Sequence, residues 1–201
     1  MRKRTGFNRQ FWKSFECLDG YPKVIINYPD HDIILPGMLK TFSTYIDKKQ
    51  KHNFAYISAD NFDFNELKKI KIIRGSRQKR IFIKNGVWLG PFPAIVWNTK
   101  IFRELGGLRE DLHFSMDYEL VQRISKYSRV KNINFHIKHI YGGFRRHEQG
   151  KTSSKELEHK VKNEQSIINR EYNISFYLEL LFKLIYKIYR IPESMRFQSN
   201  N

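Results

Sequence analysis

The chain has 201 residues, 40% of them hydrophobic and 15% aromatic, so it is long enough to bury one sizeable core and its composition excludes the disordered and fibrous classes. Its 37 basic and 20 acidic residues give a net charge of +17, which favours anionic partners such as nucleic acid, anionic lipid or phosphate groups. The single cysteine, Cys17, excludes an intramolecular disulfide, and no apolar run follows the basic start, so we expect a cytoplasmic protein without a secretory signal.

The first half of the chain predicts alternating strands and helices. A β-branched run at 23–27 predicts a buried strand, which leads into the polar turn Asp30-His31-Asp32. Apolar residues at helical spacing after Gly37 then predict a helix that ends near the basic run 48–51. The remaining segments are a second strand at 54–58 and two segments, 70–73 and 80–83, that are compatible with either a strand or a helix.

The second half continues this alternation. A strand is predicted at 94–97, and a short helix at 99–105 is stopped by Gly106-Gly107. Ser115 occupies the position of a helix N-cap, which places Asp117 in the first turn of the next helix, beside the positive end of the helix dipole. A strand-like region at 130–140 is followed by a predicted glycine-hinged, basic loop at 141–147.

Two helices are predicted at the C-terminal end. A capping box at 153–156 opens the first, which runs to about residue 170. The second, at 175–190, has a wide apolar arc but is too short and too charged to span a bilayer. It is suited either to packing on the domain's own core or to lying at a membrane surface. We therefore predict a main domain at 1–150 and a helical extension at 151–201.

Three segments, in this order, resemble the family 2 glycosyltransferases of the GT-A fold. They are DHDIILPG at 30–37, FRELGGL at 102–108 with HFSMDYEL at 113–120, and FRRH at 144–147. The middle segment is the most specific, because a Gly-Gly turn before an Asp-Tyr-Glu-Leu helix start is characteristic of that family. The resemblance implies an α/β fold: a truncated GT-A-like mixed sheet flanked by helices, with a C-terminal helical tail.

The resemblance also implies a metal-dependent, inverting sugar transfer. Asp32, assisted by Asp30 and His147, would bind Mn²⁺ or Mg²⁺ on the diphosphate of a nucleotide-sugar donor. Asp117 would be the general base that takes the proton of the acceptor hydroxyl, the acceptor being a saccharide, a glycolipid or a protein. The other expected substrate-binding residues are Trp97, Tyr118, Arg145, Arg146 and Lys151.

Each of these residues also has a simpler interpretation. The acidic turn at 30–32 is compatible with ordinary turn and cap chemistry. Asp117 is compatible with a plain first-turn charge that stabilises its helix, and His147 with a solvated side chain. Trp97 is compatible with a core position, and Gly106-Gly107 with backbone geometry alone.

The resemblance does not extend to the nucleotide-binding portion that precedes the acidic turn in this family. Only 29 residues precede Asp30, too few for the strand and helix units of a nucleotide site, so we expect that portion to be missing. A fragment, a half-enzyme completed by a partner chain or another copy, and a degenerate protein are all consistent with this. A non-catalytic module that contacts a membrane through 175–190 is a further alternative. Nucleic-acid binding is not expected, because the basic residues are scattered and no recognised motif is present.

Overall fold

The structure, a computed structural model, describes residues 12–15, 24–27, 32–49, 54–65, 68–88, 94–145 and 155–195. The strands are β1 (Trp12–Phe15), β2 (Val24–Asn27), β3 (Ile33–Ile34), β4 (Phe54–Asn65), β5 (Lys68–Ile73), β6 (Ile95–Asn98) and β7 (Asn132–Arg145). The helices are α1 (Met38–Lys49), α2 (Arg80–Lys84), α3 (Thr99–Glu104), α4 (Met116–Lys126), α5 (Lys155–Glu171) and α6 (Phe176–Met195).

The strands form one mixed sheet of seven strands. Its order is β1-β2-β6-β4-β7-β3, and β5 pairs with the second half of β4. The pair β4 and β7 is parallel, whereas the other pairs are antiparallel. The prediction of an α/β chain with a mixed sheet and flanking helices is therefore confirmed.

Helices cover both faces of this sheet. Ala94 and Val96 pack into a core with α1, while the alternate residues Ile95 and Trp97 pack into a second core with α2 and α4. Successive side chains of a strand point to opposite faces of the sheet, so α1 lies on one face and α4 on the other. The molecule thus has three layers, with the sheet in the middle.

Two stretches of β4 and β7 differ from the sequence predictions. The strand predicted at 54–58 extends to Asn65, because β5 and β7 supply hydrogen-bonding partners for its polar second half. The loop predicted at 141–147 is wrong for residues 141–145, which continue β7; its pairing with β4 shifts register twice between Ile137 and Gly142. Residues 146 and 147 lie outside the described part of the chain.

The two undecided segments and the C-terminal helices are also resolved. Residues 68–73 form a strand, 80–84 form a helix, and α5 and α6 extend close to the predicted ranges. α5 packs on Leu112 and Tyr118 through Ile168, and α6 packs on Phe82 and Val87 through Tyr186. Among the described residues, no helix combines the length and apolar character needed to cross a bilayer. The division of the chain into a main domain and a helical extension at residue 150 stays a prediction.

Candidate functional site

Asp117 lies at the start of α4, as the sequence predicts. Ser115 occupies the N-cap position, but its hydroxyl makes no capping hydrogen bond. Instead, the carboxylate of Glu164 on α5 accepts the backbone N–H groups of residues 113, 114 and 115, each at 2.9 Å. A side chain from a helix that follows later in the chain therefore holds the turn that presents Asp117.

The Gly-Gly turn before this helix is held by Arg123. Its guanidinium donates to the carbonyl oxygens of Leu105 and, at 2.9 Å, of Gly107, and it forms an ion pair with Glu119. Gly106 and Gly107 have φ angles of 83° and 76°, the left-handed region in which glycine is least strained. The two glycines thus allow the tight turn that connects α3 to the loop leading to Asp117.

A cleft of about 970 Å³ opens beside Asp117. Its walls come from the turn after α2, the start of α4, α5 and the first half of α6. Most of the wall is aromatic or aliphatic, and Asp117 supplies one of its few carboxylates. The lining includes Trp88, Phe114, Asp117, Tyr118, Tyr177 and Leu184. An amphipathic ligand suits such a wall, because large apolar surfaces there surround a small number of polar groups.

Tyr118 links the three helices around the cleft. Its hydroxyl donates to Asn169 Oδ1 at 2.7 Å, and Asn169 Nδ2 donates in turn to Glu179 Oε2 at 2.8 Å. Burial, together with the nearby charge of Glu179, raises the pKa of Tyr118, so its hydroxyl stays a neutral donor across the physiological range. The chain of hydrogen bonds fixes α4, α5 and α6 relative to one another.

The predicted metal ligand Asp32 lies elsewhere, next to the end of β7. Asp32 is buried, and its Oδ1 accepts the backbone N–H of Arg145 at 3.1 Å. The short strand β3 pairs with Gly142 and Gly143, which brings Asp32 to this edge. The structure therefore brings two of the predicted site segments together, although they are more than 100 residues apart in sequence. The side chain of Arg145 is exposed.

Asp30, Arg146, His147 and Lys151 lie outside the described residues. Asp32 is the predicted metal ligand that lies within the described residues, and its carboxylate supplies the hard oxygens that Mg²⁺ and Mn²⁺ prefer. Within the described ranges, no three His, Cys, Asp or Glu side chains are grouped as a metal site would require. Neither Asp32 nor Arg145 belongs to the lining of the cleft beside Asp117.

Trp97 is a core residue in this structure. Its side chain is 2% exposed and its ring lies 5.0 Å from that of Tyr56, so the prediction that it stacks on a sugar does not fit its position. Trp88 lines the cleft instead, with its indole N–H donating to the Tyr56 hydroxyl at 3.2 Å. The sequence carries no periodic signal at Trp88, which follows a two-residue turn after a short helix, so sequence reasoning missed it.

A buried polar cluster on β4 and β7 was also missed. His136 contacts the Ser58 hydroxyl through Nδ1 at 3.0 Å and Asp60 Oδ1 through Nε2 at 2.9 Å. Asp60 also accepts the backbone N–H of Gly75 at 2.9 Å. The three side chains are buried, so the cluster ties two strands together and is closed to a substrate. The alternate placement of Ser58 and Asp60 along a strand is the signal that could have revealed it.

Comparison with known proteins adds no further assignment. No family model matches the chain, and no curated protein is significantly similar to it.

Proposed function

We propose that this chain takes part in glycosyl transfer as a GT-A-like, inverting glycosyltransferase. The observation that carries the proposal is the position of Asp117, at the start of a helix and in the wall of a large, mainly apolar cleft. A carboxylate on a helix N-terminus keeps its charge, which suits it to accept a proton from a bound hydroxyl group. The three-layer α/β architecture with a mixed sheet is compatible with the proposed fold.

The reaction that we propose is a single displacement. The oxygen of the acceptor hydroxyl forms a bond to the anomeric carbon of the donor sugar, and Asp117 takes the proton from that oxygen. The bond from the anomeric carbon to the diphosphate breaks, and its electron pair leaves with the nucleoside diphosphate. Because the acceptor attacks from the face opposite the leaving group, the configuration of the sugar inverts.

The cleft favours a glycolipid among the acceptors that the sequence left open. Phe114, Trp88 and Tyr177 give flat rings on which a sugar could pack, and Leu184 adds an aliphatic wall for a lipid chain. Tyr118 also lines the cleft, while its hydroxyl is bonded to Asn169. An acceptor with both a saccharide and an apolar chain would use all of these groups.

The donor side of the proposal rests on Asp32 and on the strand end beside it. Asp32, with Asp30 and His147, would hold a divalent cation, and Arg145, Arg146 and Lys151 would bind diphosphate oxygens. A bound Mg²⁺ or Mn²⁺ would neutralise the charge that builds on the leaving diphosphate. The hydrogen bond between Asp32 and the backbone of Arg145 supports the pairing of these two segments.

The test is turnover of nucleotide sugars by the full chain and its Asp117→Asn variant. Each protein is incubated with uridine, guanosine and thymidine diphosphate sugars, with a glycolipid acceptor, and with Mn²⁺ or a chelator, and release of nucleoside diphosphate is measured. We expect metal-dependent release by the wild type and a loss of about 100-fold or more in Asp117→Asn, because a positioned general base contributes about that much.

Glu110→Gln serves as the matched control, since Glu110 is an exposed carboxylate close in sequence that does not line the cleft. Its turnover should equal that of the wild type. No release by the wild type with any donor, or equal rates for Asp117→Asn and the wild type, would contradict the proposed role of this chain in catalysis.

A further inference from the structure

The outer face of α6 is the largest concentration of exposed apolar side chains among the residues that the structure describes. Of twelve large hydrophobic side chains that are exposed there, eight belong to α6, and their exposed fractions range from 41% to 81%. Isolated apolar residues on a surface are ordinary, but a continuous group of this size marks a contact surface. We call this group the outer face of α6; it includes Tyr177, Leu180, Leu181, Leu184, Ile185 and Ile188.

The opposite side of the same helix is the one that packs on the body of the protein. Phe182 and Tyr186, four residues apart and therefore on one side of the helix, contact Phe82 of α2. The hydroxyl of Tyr186 is also hydrogen-bonded to that of Ser76. The helix is thus anchored by one side, and the outer face is exposed, with part of it also lining the cleft beside Asp117.

The distribution of charge distinguishes between a second copy of the chain and an anionic membrane as the partner that covers the outer face. Lys183 and Lys187 are exposed along one edge of the outer face, and Glu179, the acidic residue on this stretch of helix, is paired with Lys183. The chain carries a net charge of +17, so two copies repel each other, whereas an anionic surface attracts the protein. A helix with an apolar face and lysines at its edge is the pattern of helices that lie in the interface of anionic membranes.

We propose that the outer face of α6 docks the protein on the surface of an anionic lipid bilayer. The helix lies parallel to the membrane, with its apolar side chains inserted at the level of the headgroups and its lysines next to the anionic lipids. This docking does not depend on the proposed glycosyl transfer. Four residues belong to both the outer face and the cleft that holds Asp117, so a docked membrane lies beside that cleft: Tyr177, Leu180, Leu181 and Leu184.

The test is vesicle flotation with the full chain and two matched double variants. The vesicles contain either phosphatidylcholine alone or equal parts of phosphatidylcholine and phosphatidylglycerol. One variant is Ile185→Ser with Ile188→Ser, which changes residues of the outer face that do not line the cleft. The control is Ile72→Ser with Ile81→Ser, because these isoleucines are 40% and 51% exposed, against 41% and 59% for the first pair.

We expect the wild type and the control to float with the phosphatidylglycerol vesicles, and much less with phosphatidylcholine alone. The outer-face variant should partition at least about tenfold more weakly, because it loses apolar area that inserts into the interface. Circular dichroism of all three proteins verifies that they are folded.

Three results would overturn the proposal. They are no flotation of the wild type, equal flotation of the two double variants, and wild-type binding that is independent of phosphatidylglycerol. A different outcome would assign the outer face to a second copy of the chain. In that case the wild type does not float and sediments as a dimer, whereas the outer-face variant sediments as a monomer. If the wild type floats but shows no turnover of nucleotide sugars, the result contradicts the proposed glycosyl transfer and leaves the membrane docking intact.

Discussion

Two adjacent glycines of β7 allow it to pair closely with β4. A methyl group on Gly142 would lie 1.8 Å from Asn61 Oδ1, and one on Gly143 would lie 2.8 Å from the Phe62 ring. These distances are below van der Waals contact, so a larger residue would force the Asn61 amide, which accepts the Ala94 N–H, or the Phe62 ring to move. The sequence shows a Gly-Gly pair and a basic run there, which resembles a loop. Only the packing against β4 shows that the glycines belong to a strand.

We therefore expect Gly142→Ala to lower the free energy of unfolding by about 1–3 kcal/mol, the usual effect of overpacking a filled interior. Urea denaturation of the variant measures this loss. In an Asn61→Ala background, the same change should cost less, because the obstructing amide is absent. An equal loss in both backgrounds would show that the contact between residues 61 and 142 is not the cause.

At the scale of elements, the start of α4 depends on α5. Glu164 accepts three consecutive backbone N–H groups, those of residues 113–115, in a turn where Ser115 gives no side-chain cap. These N–H groups precede the first helical residue, in a turn whose amides need an acceptor from a side chain or water. The sequence predicts the position of α4 from its apolar spacing and from Ser115, but it does not predict that a residue about 50 positions later holds the turn before the helix.

Glu164→Gln replaces one accepting oxygen by an amide donor, so at least one of the three N–H groups loses its partner. We expect a loss of about 1–3 kcal/mol in the free energy of unfolding, measured by urea denaturation. Glu158→Gln is the control on the same helix, since Glu158 is exposed and pairs with Lys162; its denaturation midpoint should be unchanged. If both variants have the same midpoint, Glu164 does not hold this turn.

At the scale of the whole molecule, buried tyrosines couple stability to alkaline pH. Burial raises the pKa of Tyr56 above its ordinary value of about 10, and the same cause acts on Tyr118 and Tyr172. In the unfolded chain these hydroxyls ionise at about pH 10, whereas in the folded chain they stay neutral. Their contribution to stability is therefore complete below about pH 10 and is lost as the pH rises further.

Tyr56→Phe isolates one of these groups. At pH 8 we expect the variant to be less stable than the wild type by about 1 kcal/mol, because the Trp88 indole N–H loses its acceptor. Above about pH 10 this difference in stability should shrink by about 1.4 kcal/mol per pH unit. The reason is that the Tyr56 hydroxyl of the wild type loses its proton on unfolding, whereas the variant has no hydroxyl at this position. Urea denaturation from pH 8 to 11 measures the difference. A constant difference over that range would contradict the shifted pKa.

The sequence by itself determined the alternation of strands and helices, the mixed α/β class and the position of Asp117 in the first turn of α4. These features follow from local patterns: apolar spacing, glycine turns and cap residues act within a few positions. The family resemblance predicted that the acidic turn and the segment at 144–147 belong to one site. The described part of that pair, Asp32 and Arg145, does lie in hydrogen-bonding contact.

The tertiary structure alone decided three features. These are the aromatic residues that line the cleft, the extension of β7 as a strand through Gly142 and Gly143, and the side of α6 that stays exposed. The two tryptophans are the clearest example, because only the tertiary structure shows that Trp97 packs on Tyr56 in the core while Trp88 lines the cleft. The physical reason is common to all three. Each depends on side chains brought together from distant positions, and no local pattern encodes which surface a neighbouring element will cover.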